Sequence, residues 1–257
     1  MRPAALIAGM ILSAVSVRAE AGEAACWFEN GAVVAPGEIA GIAGDWLIDP
    51  SAPHTLLHET RAEMEGLPRA FVAAGRLAGQ RLAPVAVTVV DLDDRAPGFV
   101  TPITGVIGAD VLARYTVDLS FSPCRLTLWR GRPPPFGRTG VLPLTVVAGT
   151  PAVRAAVSDD RRARAGLFAV DWGSRATVRV RDARLESSTD APGPTPRSLA
   201  PARLRALSAE GVLYERPDAA IGGDLDPALA GALGTGFWSS WRLRLDISGR
   251  RLLYKPQ

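Results

Sequence analysis

The sequence predicts an all-β protein made of two similar lobes, and an internal repeat is the main reason. Residues 105–129 (GVIGADVLARYTVDLSFSPCRLTLW) align without a gap with residues 231–255 (GALGTGFWSSWRLRLDISGRRLLYK) at a constant offset of 126. A second shared block lies upstream of each copy at an offset of 122 and aligns Gly44 with Gly166, Asp49 with Asp171 and Thr55 with Thr177. The chain of 257 residues, 47% of them apolar, can bury a sizeable core.

Short runs of alternating or β-branched apolar residues predict strands rather than long helices. Leu82–Val90 is the clearest β-branched run. Each repeat ends in two apolar runs joined by a turn, at Ser122-Pro123 in the first copy and at Ser248-Gly249 in the second. We therefore expect a β-hairpin at the end of each lobe. Short helices are expected at residues 59–66, 108–114 and 201–210.

The repeat also predicts the domain organisation. We expect a signal peptide at residues 1–21, a first lobe at 22–130, a Pro/Gly-rich linker at 131–140 and a second lobe at 141–257. The linker reads GRPPPFGRTG, with three consecutive prolines. A polar segment rich in Ser, Thr and Pro at 187–197 is expected to be a loop of the second lobe.

The N-terminus has the pattern of an export signal. Arg2 precedes 14 residues, 4–17, that are mostly apolar, and cleavage is expected after Ala19 or Ala21. We expect an exported protein, periplasmic or secreted, with no stable membrane span after cleavage, since the segment is too short to cross a bilayer. A retained N-terminal helix is the alternative interpretation.

The chain has two cysteines, Cys26 and Cys124. An exported protein is in a compartment that permits disulfides, so a bridge between them is one interpretation. Two unpaired thiols are the other, since pairing depends on a distance that the sequence does not give.

The charge pattern argues against a nucleic-acid-binding protein. The formal net charge is +3 over the whole chain, and the basic residues are nearly all arginine, without a dense basic run interleaved with aromatics. Two histidines, His54 and His58, are four residues apart and could share one face if residues 55–64 were helical. A solvent-facing pair is the preferred interpretation over a metal site, because no third histidine exists in the chain.

The two copies together resemble the pepsin/retropepsin-like aspartic peptidases. In each copy an apolar strand ends in Asp and a small-residue turn leads to Thr; a later apolar-apolar-Gly element, ending at Gly108 or Gly234, precedes the hairpin. The Asp-to-Gly spacings are similar, 59 residues in the first copy and 63 in the second. The resemblance implies two β-barrel lobes with a substrate cleft between them.

The resemblance implies that Asp49 and Asp171 are the catalytic pair. In that family two close carboxylates share one proton, and neither a metal nor a cofactor takes part. The family's turn reads Asp-Thr/Ser-Gly, and its hydroxyl bonds across to the other lobe. Here Pro50 and Trp172 stand at the hydroxyl position, so these bonds between the lobes are expected to be missing.

The rest of each turn follows the family pattern unequally. Ser51 stands where the pattern has Gly, whereas Gly173 and Ser174 conform to it. The family also has a hairpin, the flap, that closes over substrate. The expected helix at 59–66 leaves little sequence for a long hairpin in the first lobe, so a short or absent flap is expected.

Two functions remain open at this stage. One is an aspartic endopeptidase that hydrolyses peptide bonds with the Asp49/Asp171 pair. The other is a catalytically degenerate module that binds an extended peptide or protein in the cleft between the lobes. The sequence does not indicate an oligomeric state.

Overall fold

The computed structural model describes residues 20–93, 99–159, 162–181, 200–209, 211–222 and 225–257, and most of them lie in strands. The elements of the first half are β1 Glu20–Ala25, β2 Trp27–Glu29, β3 Ala32–Ile39, β4 Ile42–Ile48, β5 Thr55–His58, α1 Glu59–Met64, β6 Ala70–Leu77, β7 Gln80–Val90, β8 Ile103–Ile107, α2 Ala109–Leu112, β9 Thr116–Phe121 and β10 Cys124–Arg130.

The second half repeats this order with additional short strands. Its elements are β11 Gly140–Pro143, β12 Thr145–Val147, β13 Thr150–Ser158, β14 Ala163–Val170, β15 Val178–Val180, β16 Ala200–Arg203, β17 Ala206–Ala209, β18 Val212–Glu215, β19 Asp218–Ile221, β20 Gly231–Leu233, α3 Thr235–Trp238, β21 Trp241–Asp246 and β22 Arg251–Pro256.

Each half contributes its own sheet and three strands, two of them a hairpin, to a shared sheet. The first lobe is a seven-stranded sheet in the order β2-β3-β4-β8-β5-β7-β6, and a further β3–β6 pairing closes it. The second lobe is a nine-stranded sheet that runs β16-β19-β15-β20-β14-β13-β17-β18, with β12 paired to β13. The predicted all-β fold of two similar lobes is confirmed.

A six-stranded sheet in the order β1-β10-β9-β21-β22-β11 joins the two lobes. The predicted terminal hairpins β9–β10 and β21–β22 form its centre, where β9 and β21 pair antiparallel. Val117 and Leu119 alternate with polar residues on β9, and both are fully buried because the lobes cover one face of this sheet. The sheet is therefore the physical link between the two copies of the repeat.

Equivalent strand pairs in the two lobes are related by the same offsets as the sequence repeat. Ile48 pairs with Ile107 where β4 and β8 run parallel, and Val170 pairs with Leu233 where β14 and β20 run parallel. These two pairs are related by offsets of 122 and 126, the values found in the sequence. The duplication therefore holds at the level of strand register.

Two segments anchor the ends of the first lobe. Cys26 and Cys124 form a disulfide that joins the start of the lobe to the hairpin β9–β10. The segment between β10 and β11 is held by the shared sheet, because Arg244 donates to the Pro134 carbonyl and Lys255 to the Phe136 carbonyl. Both cations also lie over the Phe136 ring at 4.6 Å from its centroid.

One predicted helix is wrong. Residues 201–210 do not form a helix where they are described; instead β16 and β17 cover most of this range. In β17 the buried Leu207 and Ala209 alternate with the exposed Ser208, a period of two that fits a strand paired with β13 and β18. The predicted helices at 59–66 and 108–114 correspond to α1 and α2. The predicted loop at 187–197 and the predicted signal peptide at 1–21, apart from its last two residues, lie outside the described residues.

Candidate active site

Asp49 lies in a tight turn at the end of β4. Its backbone N–H donates to the Ile107 carbonyl of β8, and its Oδ1 accepts the Ser51 N–H at 2.8 Å. Pro50 has no N–H, so Ser51 is the first residue of the turn that can donate to this carboxylate. The side chain is almost entirely buried, with 2% of the residue exposed.

Asp171 occupies the same place in the second lobe. Its backbone N–H donates to Leu233 of β20, and its Oδ1 accepts the Gly173 N–H at 2.9 Å. Ile107 and Leu233 are related by the repeat, as are Ser51 and Gly173. The two turns therefore have the same backbone construction, and Asp171 is likewise buried, at 1% exposed.

The two turns face one another. A Cβ placed on Gly173 would lie 2.9 Å from Oδ2 of Asp49, so the carboxylate of the first turn packs directly against the second turn. Two hairpin tips make a second, symmetric pair of contacts between the lobes. Gly31, between β2 and β3, packs against Arg175, and Gly149, between β12 and β13, packs against Pro53. Pro53 and Arg175 are counterparts in the repeat. The fold thus brings Asp49 to the turn that carries Asp171.

Hydrogen bonds between the lobes are present, but they are of a different kind from those of the family turn. The Val33 N–H donates to the Trp172 carbonyl at 3.0 Å. The Thr150 hydroxyl donates to the Ser51 carbonyl at 3.2 Å, and the Thr235 hydroxyl donates to the Gly31 carbonyl. These bonds come from donors outside the hydroxyl position of the two turns. Neither Pro50 nor Trp172 offers a hydroxyl, and backbone carbonyls receive donors from neighbouring strands and from α3 instead.

Trp172 fills core space rather than the cleft. Its side chain is fully buried in the main hydrophobic cluster. Its indole N–H has no hydrogen-bond partner within the described part of the chain. Trp172 therefore supports the turn by packing, and only its carbonyl takes part in the contact between the lobes.

Arg179 of β15 forms an ion pair with Asp171. Its Nε and Nη2 donate to Oδ2 of Asp171 at 3.0 and 2.7 Å. The pair is shielded from solvent, with 13% of the arginine side chain and 2% of the aspartate side chain exposed. Together with the Gly173 N–H on Oδ1, these bonds leave both oxygens of Asp171 accepting donors from the second lobe.

The first lobe has leucine where the second lobe has this arginine. Leu56 pairs with Val106 across β5 and β8, and Arg179 pairs with Ala232 across β15 and β20. Val106 and Ala232 are related by the offset of 126, so Leu56 and Arg179 are counterparts in the strand register. Arg179, which is mostly shielded from solvent, therefore has no charged counterpart at the equivalent strand position of the first lobe.

Sequence reasoning missed Arg179 because the second lobe has one more residue between Asp171 and its paired strand β15 than the first lobe has between Asp49 and β5. The ungapped offset of 122 aligns Arg179 with Leu57, which is a core residue of the opposite face of β5. A signal was nevertheless present, since two arginines alternate with valines in residues 178–181, directly after the turn. Charged residues in a short strand beside a buried carboxylate indicate an ion pair.

The first lobe has no flap-like hairpin in its described residues between β5 and β8. Helix α1 follows β5 directly, as expected. The hairpin β6–β7 turns at Ala78-Gly79, and Gly22 of β1 packs against this turn, so the hairpin points to the shared sheet. The segment 94–98 is not among the described residues.

The histidines do not form the pair considered from the sequence. Residues 55–58 are strand β5, so the shared helical face does not exist, and His54 is exposed whereas His58 is buried. Potential ligand atoms of His58, Asp91 and Asp93 lie within 4.8 Å of one another. Nδ1 of His58 accepts the Thr60 N–H at the start of α1, which places the ring proton on Nε2, facing Asp93 at 3.1 Å. This arrangement is satisfied as a helix cap and a hydrogen bond.

Comparisons with known proteins support the fold. No family model matches the sequence, and no curated protein matches it either. The crystal structure of the aspartic proteinase from Irpex lacteus matches with a TM-score of 0.53 and 12% sequence identity, over 93% of this chain and 98% of that chain. At this identity the likeness shows the fold alone, and the chain has the two-lobed fold of pepsin-like aspartic proteinases. None of the described helices is long and apolar enough to span a membrane.

Proposed function

We propose that this protein binds an extended peptide in the cleft between its lobes and does not hydrolyse it. The ion pair between Arg179 and Asp171 is the observation that carries this proposal. It gives Asp171 two side-chain donors, whereas in a mechanism with one shared proton the two carboxylates act as a coupled pair.

The chemistry explains why the arginine matters. In hydrolysis by two carboxylates, one ionised group activates a water and the other, protonated, donates to the carbonyl oxygen of the substrate. The proton lies between the carboxylates because two like charges in contact repel each other. Here the guanidinium of Arg179 occupies Oδ2 of Asp171 with two hydrogen bonds. A water reaching Asp171 also competes with three N–H donors.

We expect peptide binding to be retained despite the altered turns. A cleft between two β-lobes can hold an extended chain through backbone hydrogen bonds, which do not depend on the protonation of the carboxylates. The turns at its base are rigid because each carboxylate is bonded within its own turn and the lobes are bonded to each other. Export to the periplasm or the medium, from the leader at 1–21, is part of the same proposal.

Binding is tested with isotope-labelled wild-type protein and a mixed library of short extended peptides. We expect peptide addition to shift the amide signals of Ser51 and Gly173, the two residues that donate to the carboxylates. The same shifts are expected for the Asp49→Asn variant, because the amide oxygen of Asn can still accept the Ser51 N–H. Amide signals of both turns that do not move at millimolar peptide would contradict the proposal.

Slow peptide hydrolysis is the second candidate, and the second turn favours it. Gly173 and Ser174 follow the family pattern, and Oδ2 of Asp49 lies against Gly173, where a carboxylate of a working pair is expected. A misplacement of about 1 Å can reduce a catalytic rate a hundredfold, so a low rate is compatible with the altered turns. Cleavage that depends on both Asp49 and Asp171 distinguishes this candidate from binding alone.

A further inference from the structure

Strand β6 has an unpaired edge outside the cleft. It pairs with β7 from Ala70 onward but with β3 only at Gly75, Arg76 and Leu77. Among the described residues no strand lies on the β3 side of Ala70–Ala73. This short segment therefore has one occupied and one open edge.

The hydrogen-bond register identifies the groups that face the open edge. Val89 N–H donates to the Arg69 carbonyl, so Arg69 and Phe71 bond toward β7. Residues alternate along an antiparallel strand, and the N–H and C=O groups of Ala70 and Val72 consequently point away from β7. The Ala74 carbonyl, which has the same orientation, accepts the Ala40 N–H at 3.0 Å. The groups of Ala70 and Val72 are positioned to pair with an added strand.

Side chains around this edge are apolar and exposed. Val72 is 68% exposed. The neighbouring Ala70 and Ala74 are exposed as well. A strand edge next to exposed apolar side chains is a surface that proteins normally cover or protect with charge.

The charged residues nearest to the open segment along the chain are mostly basic. No Asp or Glu occurs between Glu65 and Asp91, and this stretch contains three arginines, Arg69, Arg76 and Arg81. Arg69 and Arg76, both exposed, flank the open segment; Glu38 lies opposite Arg76 on β3 and offsets part of the charge at that end. An acidic ligand strand complements this surface better than a basic one.

We propose that the open edge of β6 at Ala70–Ala73 is a docking site for an extended, acidic segment of a partner protein. The segment adds a strand through Ala70 and Val72, places apolar side chains beside Val72, and carries Asp or Glu toward Arg69 and Arg76. The site lies beyond β7, two strands from Thr55 of β5, which is roughly 10 Å in sheet spacing, and is separate from the cleft. This proposal does not depend on the proposed cleft function.

The probe is a short fluorescent peptide of alternating Val and Glu, with a Val/Lys peptide of the same length as its control. We expect the acidic peptide to bind the wild-type protein and the basic one to bind at least about tenfold more weakly at low salt. Val72→Pro removes an N–H that faces the open edge and leaves the β7 ladder intact, so binding is expected to weaken about fivefold to tenfold. Val72→Thr, which keeps that N–H, is the matched control.

Several outcomes overturn the proposal. Equal binding to wild type, Val72→Pro and Arg69→Glu variants of the same thermal stability places the peptide elsewhere. Absence of binding at millimolar peptide shows that no such site exists. A wild-type dimer in light scattering that becomes monomeric in Val72→Pro assigns the edge to a second copy of this chain. Amide shifts confined to Ser51 and Gly173 assign the peptide to the cleft.

Discussion

Asp118 and Arg244 lie at equivalent positions of the two repeats and form a bidentate ion pair with each other. Arg244 Nε and Nη2 donate to the two oxygens of Asp118, both at 2.6 Å. The flanking pairs Val117 with Leu245 and Leu119 with Leu243 are symmetric about this contact, so it marks the pseudo-twofold axis.

This ion pair predicts a stability effect. Arg244→Leu leaves Asp118 without its cation in a mostly buried place, with 16% of the Asp118 side chain exposed, and we expect a loss of about 3–5 kcal/mol of unfolding free energy. Urea unfolding measures it. Arg125→Leu breaks an exposed pair with Glu23, whose side chains are 52% and 47% exposed at the arginine and the glutamate, and should cost at most about 1 kcal/mol. Equal losses would show that the axial pair has no special role.

The Arg179–Asp171 pair predicts non-additive stability changes. Arg179→Leu copies the residue of the first lobe and leaves a buried carboxylate unpaired, so we expect a loss of about 3–5 kcal/mol. Adding Asp171→Asn should restore much of that loss, because the uncompensated charge is gone. Arg175→Leu, at an exposed position of the same turn, should stay within about 0.5 kcal/mol. Additive losses in the double variant would mean that the two side chains are not coupled.

Removal of Arg179 is also expected to produce peptidase activity. With Leu at position 179 the two hydrogen bonds on Oδ2 of Asp171 are removed, and we expect peptide cleavage to appear at acid pH in the Arg179→Leu variant. The cleavage should disappear when Asp49→Asn is added. Mass spectrometry of a digested peptide library checks this, and an inactive Arg179→Leu protein that is folded and binds peptide would show that Arg179 is not what prevents hydrolysis.

The two turns are expected to differ in their tolerance of a side chain at position 173 and at its counterpart, position 51. A Cβ at this position would lie 2.9 Å from Oδ2 of Asp49, so Gly173→Ala has to move a buried carboxylate. We expect a loss of about 1–3 kcal/mol and weaker peptide binding. Ser51→Ala, at the counterpart position that already carries a Cβ, should be close to neutral. Thermal unfolding of both variants is sufficient, and a tolerated Gly173→Ala would contradict the close contact.

The disulfide predicts a dependence on redox conditions. Cys26 and Cys124 are 98 residues apart, and closing a loop of that length restricts the unfolded chain by about 4–5 kcal/mol in the chain-entropy model. The Cys26→Ala/Cys124→Ala variant should therefore unfold at lower urea in oxidising buffer. In reducing buffer the wild type should approach the variant, and a wild type that is unaffected by reductant would contradict a stabilising bridge.

Much of the fold could be predicted from sequence, because duplication constrains strand register. A shared offset of 126 fixes which residues of β9 and β21 are equivalent, and alternation places Val117 and Leu243 on buried faces. The helix expected at 201–210 was wrong because short strands gain their stability from pairing with β13 and β18, which the local sequence does not show.

The site was only partly predictable. The sequence placed Asp49 and Asp171 at equivalent turns, and it identified Pro50 and Trp172 as departures. It could not place Arg179. The second lobe has one additional residue before β15, so an alignment without gaps does not show which residue of β15 contacts Asp171. Nor could it predict the bonds from Thr150 and Thr235, which depend on how the lobes dock.

The most direct test of the proposed function is the cleavage of a peptide library by purified wild-type protein between about pH 3 and pH 7, measured beside the Asp49→Asn variant. We expect wild type and variant to release the same products at the same background rate, while both bind peptide. Cleavage by the wild type that is absent from the variant would contradict it, and would establish an aspartic peptidase that works despite Arg179.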